Sequence, residues 1–110
     1  MEIIRGTTPT ITINVKSDID LTNVAEIWVY ISQCKRVVVD KQIEDVTIEA
    51  ETHTIKVTLN QNDTLGLKEG NAFFQIRLLM TDGTALACIA KSISIIEVYK
   101  GGVISEWTPN

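Results

Sequence analysis

Apolar and polar residues alternate along most of this chain in short runs, broken about every ten residues by turn formers. Ile11, Ile13 and Val15 alternate with Thr10, Thr12 and Asn14, and Ile27, Val29 and Ile31 alternate with Trp28, Tyr30 and Ser32. Ile55, Val57 and Leu59 do the same with Lys56 and Thr58. A period of two sends one set to a buried face and the other to the opposite face, which predicts antiparallel β-sheet. The expected strands are Met1–Arg5, Thr10–Val15, Glu26–Gln33, Val37–Lys41, Val46–Ala50, Thr54–Leu59, Asn71–Met80 and a return strand from Ala85 towards Tyr99. At about fifteen residues the return strand is long enough to require a bulge or bend. Val37-Val38-Val39 has no alternation and reads as a strand covered on both faces.

The connections carry their own signals. Thr81-Asp82-Gly83-Thr84 predicts a hairpin in which Asp82 and Gly83 take the two positive-φ positions of a type I′ turn. Gln33-Cys34-Lys35-Arg36 predicts a second tight connection, and Asp20-Leu21-Thr22-Asn23 an Asx turn or a single helical turn. Asn60 as N-cap, with Asp63 in the first turn, predicts one short helix over Gln61–Leu67. Short strands with one helical insertion describe an antiparallel, immunoglobulin-like β-sandwich of seven or eight strands, one domain over residues 1–110. A barrel would call for more corner glycines than the 6 present.

Composition narrows the function. With 110 residues, 45% apolar and 22% charged, the chain can bury a core without staples. A net charge of −4, with Lys35-Arg36 the only adjacent basic pair, argues against nucleic acid as a ligand. No apolar run is long enough to span a bilayer, so no membrane partner is expected. Met1-Glu2-Ile3-Ile4-Arg5 lacks a basic lead ahead of an apolar core, so synthesis and residence in the cytoplasm are expected. In that compartment Cys34 and Cys88 are expected as reduced thiols, Cys88 as a buried hydrophobe.

The residues that could do chemistry read as structure. Asp18, Asp20 and Asn23 lack the downstream bidentate Glu of a calcium loop and are expected to turn the chain. Glu44-Asp45, Glu49 and Glu51 flank strands as solvated charge, and His53 falls in an exposed turn with no ligand spacing to either cysteine. No nucleophile elbow or phosphate loop is present. The chain is therefore expected to be no enzyme and to need no cofactor or metal. Trp28 and Tyr30 share one face of a strand. They are either core or a contact surface, the candidate interface of the chain.

Four segments also resemble a known group of proteins. These are Arg5-Gly6-Thr7-Thr8-Pro9-Thr10, Leu59-Asn60-Gln61-Asn62-Asp63-Thr64-Leu65, Gln75-Ile76-Arg77 before Thr81-Asp82-Gly83, and Gly101-Gly102-Val103-Ile104. In that order they resemble small phage and Firmicutes prophage proteins, and the chain is similar to immunoglobulin-like N-terminal modules of siphophage upper-baseplate proteins. The resemblance implies a tail or baseplate structural protein, located in the virion. Its partners would be other copies of itself or phage tail and baseplate proteins, and it brings no catalytic residues. The alternative is a carbohydrate-binding module that stacks cell-surface polysaccharide on Trp28, Tyr30 or Trp107.

Overall fold

Two β-sheets packed face to face account for the alternation, in a computed structural model that describes residues 1–88, 90–98 and 102–104. In chain order the elements are β1 (Glu2–Ile4), β2 (Thr10–Asn14), β3 (Val24–Gln33), β4 (Arg36–Gln42), β5 (Val46–Glu49) and β6 (Thr54–Thr58). They continue with α1 (Gln61–Leu65), β7 (Gly70–Met80), β8 (Ala85–Ala87) and β9 (Lys91–Ile96). Leu21–Asn23 and Ile43–Asp45 are single 3₁₀ turns. The larger sheet runs β1-β9-β7-β3-β4, with β8 also on β7, and the smaller runs β2-β6-β5. All pairings are antiparallel except β1 with β9, where Glu2–Ile4 lie beside Ser94–Ile96 in parallel.

The sandwich stands as the sequence predicts, with nine strands among the described residues instead of seven or eight. The difference comes from the return strand. It pairs with β7 in two stretches, as β8 through Ala85–Ala87 and as β9 from Lys91. The register against β7 shifts by one residue between Ala87 and Lys91, the irregularity expected of so long a strand, and the far end at Tyr99 lies outside the described residues.

Ile27, Val29 and Ile31 of β3, with Ile93 and Ile95 of β9 in the same sheet, face inward against Ile11 of β2 and Ile55 and Val57 of β6. Burial of these branched side chains, each worth about 1.5–3 kcal/mol against full exposure, is what fixes the register of both sheets. The helix lies where its cap predicts. Asn60 accepts the Asp63 amide at 2.8 Å while the Asp63 carboxylate accepts the Asn60 amide at 2.9 Å, a reciprocal pair that satisfies two end donors. It stops at Leu65, one turn in, with Gly66 as C-cap.

One turn expectation and one strand expectation are corrected. Asp82 does not take positive φ. The Gly83 amide donates to the Met80 carbonyl at 3.0 Å and Met80 N to Thr84 O at 2.8 Å, with Gly83 alone at φ +90°. This is a type I turn over Thr81-Asp82 closed by a glycine bulge, the three-residue form of hairpin loop. The tight connection expected at Gln33-Cys34-Lys35-Arg36 is present as a two-residue loop, Cys34-Lys35, with φ of 51° and 64°, joining β3 directly to β4. Val37-Val38-Val39 is not covered on both faces. Ile31 pairs with Val39 and Ser32 with Val37, so Val38 is the extra residue of a bulge. Only Val39 is buried, and Val37 is 58% exposed. The bulge, rather than double coverage, breaks the alternation.

Candidate functional site

Because Ile27, Val29 and Ile31 are core, the period of two sends Trp28 and Tyr30 to the outer face of the six-stranded sheet. They do not play the same part there. Tyr30 is half-buried, and its hydroxyl donates to Gln75 Oε1 at 2.6 Å, while Gln75 Nε2 donates to the Cys88 carbonyl at 2.9 Å. That chain of bonds adds to the Cys88 amide's own bond to the Ile76 carbonyl at 3.1 Å in fastening Cys88 to the sheet centre. Trp28 is 46% exposed, opposite Arg77 in the ladder, with the Arg77 guanidinium carbon 5.4 Å from the ring centroid. This is a cation–π contact within the usual reach of about 6 Å. Beside it a shallow cavity of about 160 Å³ is bordered by Glu26, Leu79 and Ala85. Phe73, on the same face and 49% exposed, lies between Ser32 and Ser92. Arg77 takes one face of the Trp28 ring and Gln75 holds the Tyr30 hydroxyl, so the pair is not a free stacking platform. Trp107 lies outside the described residues.

The remaining sequence candidates resolve into local structure. Asp20 caps the first 3₁₀ turn, accepting from Thr22 N at 3.0 Å, Thr22 Oγ1 at 2.6 Å and Asn23 Nδ2 at 2.8 Å. The Thr22 bonds hold its carboxyl below the ordinary range. Asp45 accepts the Gln42 amide at 3.0 Å. Glu49 pairs with Lys56 at 3.2 Å, and that contact, with the Thr54 hydroxyl, lowers its carboxyl as well. His53 is not an exposed turn residue. It sits half-buried at φ 53° between β5 and β6, with Nδ1 buried and without a hydrogen-bond partner among the described residues.

Both cysteines are free. Cys34 is exposed in its tight turn, and Cys88 is half-buried rather than fully buried, its sulfur 3.2 Å from the Ile76 amide. Among the described residues no three His, Cys, Asp or Glu side chains come together as a metal site. No helix among them is long and apolar enough to cross a membrane.

Two of the four segments behind the resemblance meet at one structural joint. Arg5 Nε donates to Leu67 O at 2.7 Å, one terminal nitrogen donates to Leu65 O at 3.0 Å, and the other meets Glu97. Thr64, 0% exposed, accepts the Gly6 amide at 3.0 Å and donates to Thr7 O at 2.8 Å. Arg5-Gly6-Thr7 and Asn60 through Leu65 therefore occur together because they clamp the β1–β2 link onto α1. Gly101 of the last motif lies outside the described residues.

The architecture defines the chain as an all-β sandwich protein. No family model matches it, and no curated protein matches it by sequence. Among solved structures it is similar to CopC from Methylosinus trichosporium OB3b, with a TM-score of 0.56 and 12% identity, over 91% of this chain and 85% of that one. At that identity the likeness establishes a shared fold alone. The structure it resembles is CopC and not a tail or baseplate protein, and the expected tail or baseplate role is withdrawn on that finding. Two of the segments behind that expectation serve the joint described above, a role internal to the fold.

What sequence reading missed lies at the side of the sandwich. The outer edge of β2 is unpaired among the described residues. Beneath it the two sheets part to leave cavities of about 320 and 360 Å³. Alternation identifies β2 as a strand but does not reveal which neighbour it lacks.

Proposed function

We propose that this chain is a non-catalytic contact module that pairs with a second copy of itself through the outer face of its six-stranded sheet. The half-exposed Trp28, held by Arg77 at the middle of that face, carries the reading. Tryptophan and arginine are both enriched among the few residues that carry most of the energy of protein contacts. Phe73 and Leu79 extend the apolar surface to either side. Glu26 and Arg77 border the same cavity, so a twofold arrangement sets each opposite its counterpart, the self-complementarity an isologous dimer needs. Sedimentation equilibrium at tens of micromolar protein tests it. The wild type is expected to show a dimer and Trp28→Ser a monomer of unchanged circular dichroism. A wild-type protein that stays monomeric throughout refutes the proposal.

A further inference from the structure

The side of the sandwich along β2 offers the components of a strand-accepting groove. Leu59 N donates to Pro9 O at 2.9 Å and Val15 N donates to His53 O at 2.8 Å. In the antiparallel register that pairs Thr10 with Thr58, odd-numbered residues therefore bond to β6. Thr10, Thr12 and Asn14 accordingly turn their backbone N–H and C=O groups to the open edge, where no strand among the described residues meets them.

Directly under this edge, Ile13, Val15, Ile76, Leu78, Leu86 and Cys88 line one of the two cavities, and the other continues it past Phe74 and Ile93. Several of these side chains are only half-buried, because the smaller sheet has three strands to cover a sheet of six. A free backbone ladder over an apolar trough is the pairing of features that an added strand satisfies, the first giving affinity and the second selecting side chains.

The charges indicate what kind of strand fits. In a chain of net charge −4, the two cavities that flank β2 carry Lys16 in one and Lys91 in the other, with no carboxylate lining either. Beyond Lys16 the surface turns acidic at Asp18, Asp20 and Asp82, which confines an acidic occupant to the length of β2.

We propose that β2 accepts an extended peptide segment of another protein, apolar at alternate positions and carrying a carboxylate at each end. The apolar side chains would enter the trough, the backbone would bond to Thr10, Thr12 and Asn14, and the carboxylates would meet Lys16 and Lys91. This surface is separate from the Trp28 face, so the two proposals stand or fall independently.

The probe is a fluorescein-labelled seven-residue peptide of alternating valine and threonine with a glutamate at each end, followed by anisotropy. Saturable binding is expected, weakened about tenfold or more when lysines replace the glutamates or when Lys91→Glu reverses one pole. Thr12→Pro removes an outward N–H at an edge position, where proline is tolerated. It is expected to abolish binding while leaving the Trp28-dependent dimer intact. If Thr12→Pro fails to fold, peptide-induced amide shifts in the wild-type protein decide instead, and they are expected on Thr10, Thr12 and Asn14. No saturation up to about 1 mM, equal binding of the lysine-flanked peptide, an unaffected folded Thr12→Pro variant, or shifts centred elsewhere would each overturn the proposal.

Discussion

The Cys34-Lys35 turn holds two side-chain-bearing residues in the left-handed region, at φ 51° and 64°. Each such residue costs about 1–2 kcal/mol relative to right-handed backbone, and glycine escapes that cost. Glycine also gives the unfolded chain extra freedom worth about 0.5–1 kcal/mol, so Lys35→Gly nets about 0.5–1 kcal/mol of stabilisation. Cys34→Asn adds a few tenths, because asparagine tolerates this region better than most residues. Both side chains are exposed, so no packing is lost. The turn persists with unfavourable residues because its flank is fastened: Gln33 Nε2 donates to Lys68 O at 2.7 Å and Lys68 N donates back to Gln33 Oε1 at 2.8 Å. The double variant is expected to gain about 1 kcal/mol, raising the melting temperature by about 4–8 °C with an unchanged denaturant slope. Gly83→Val is the converse, since Gly83 sits at φ +90° with no atom near its missing Cβ and strain alone acts. A double variant that melts at or below the wild-type temperature would refute the assignment of strain to this turn.

Two further outcomes follow from the clamp and from the surface carboxylates. Thr64→Val keeps the shape of a fully buried side chain but strands the Gly6 amide and the Thr7 carbonyl, so chemical denaturation should show a loss of about 1–3 kcal/mol. Asp20, Asp82, Glu49 and Glu97 all have carboxyls lowered by hydrogen bonds in the folded chain, chiefly from Thr22, Thr84, Lys56 and the Val98 amide. Their stabilisation is present above the ordinary carboxylate range, near pH 4, and is lost as pH falls below it. A thermal melt series should therefore decline from about pH 4.5 downward, and a flat profile there would count against these bonds.

Much of the architecture is legible in the sequence because it rests on local pattern. Ile27, Val29 and Ile31 announce a strand with one buried face, and Asn60 with Asp63 announces the helix start. Each of these signals acts over a few residues. Less legible is anything set by register. Asp82-Gly83 has the composition of a type I′ turn, yet the Met80–Thr84 pairing leaves a three-residue loop that demands positive φ from Gly83 alone. The two-residue loop falls on Cys34-Lys35, which has no glycine to announce it. The valine run conceals a bulge because nothing local indicates which residue lacks a partner.

Trp28 is visible as a candidate from the sequence, but its outward placement depends on which face of β3 meets the other sheet. The groove beside β2 is invisible for a stronger reason. It exists because β6 takes one edge of β2 and no described strand takes the other, a relation among elements more than forty residues apart.

The parallel ladder between β1 and β9 places Ile3 beside Ile95, and the Ser94 amide donates to the Met1 carbonyl at 2.9 Å. On a ribosome β1 thus has to wait for β9, made some ninety residues later, before the two can pair. Until then Ile3, nearly wholly buried in the finished sandwich, has no place to go, and the edge of β7 that will receive β9 also stays uncovered. Closing so long a loop late makes the docking of β1 the natural slow step of folding. It also makes the interval before β9 emerges the period when nascent chains are most exposed to mispairing with one another.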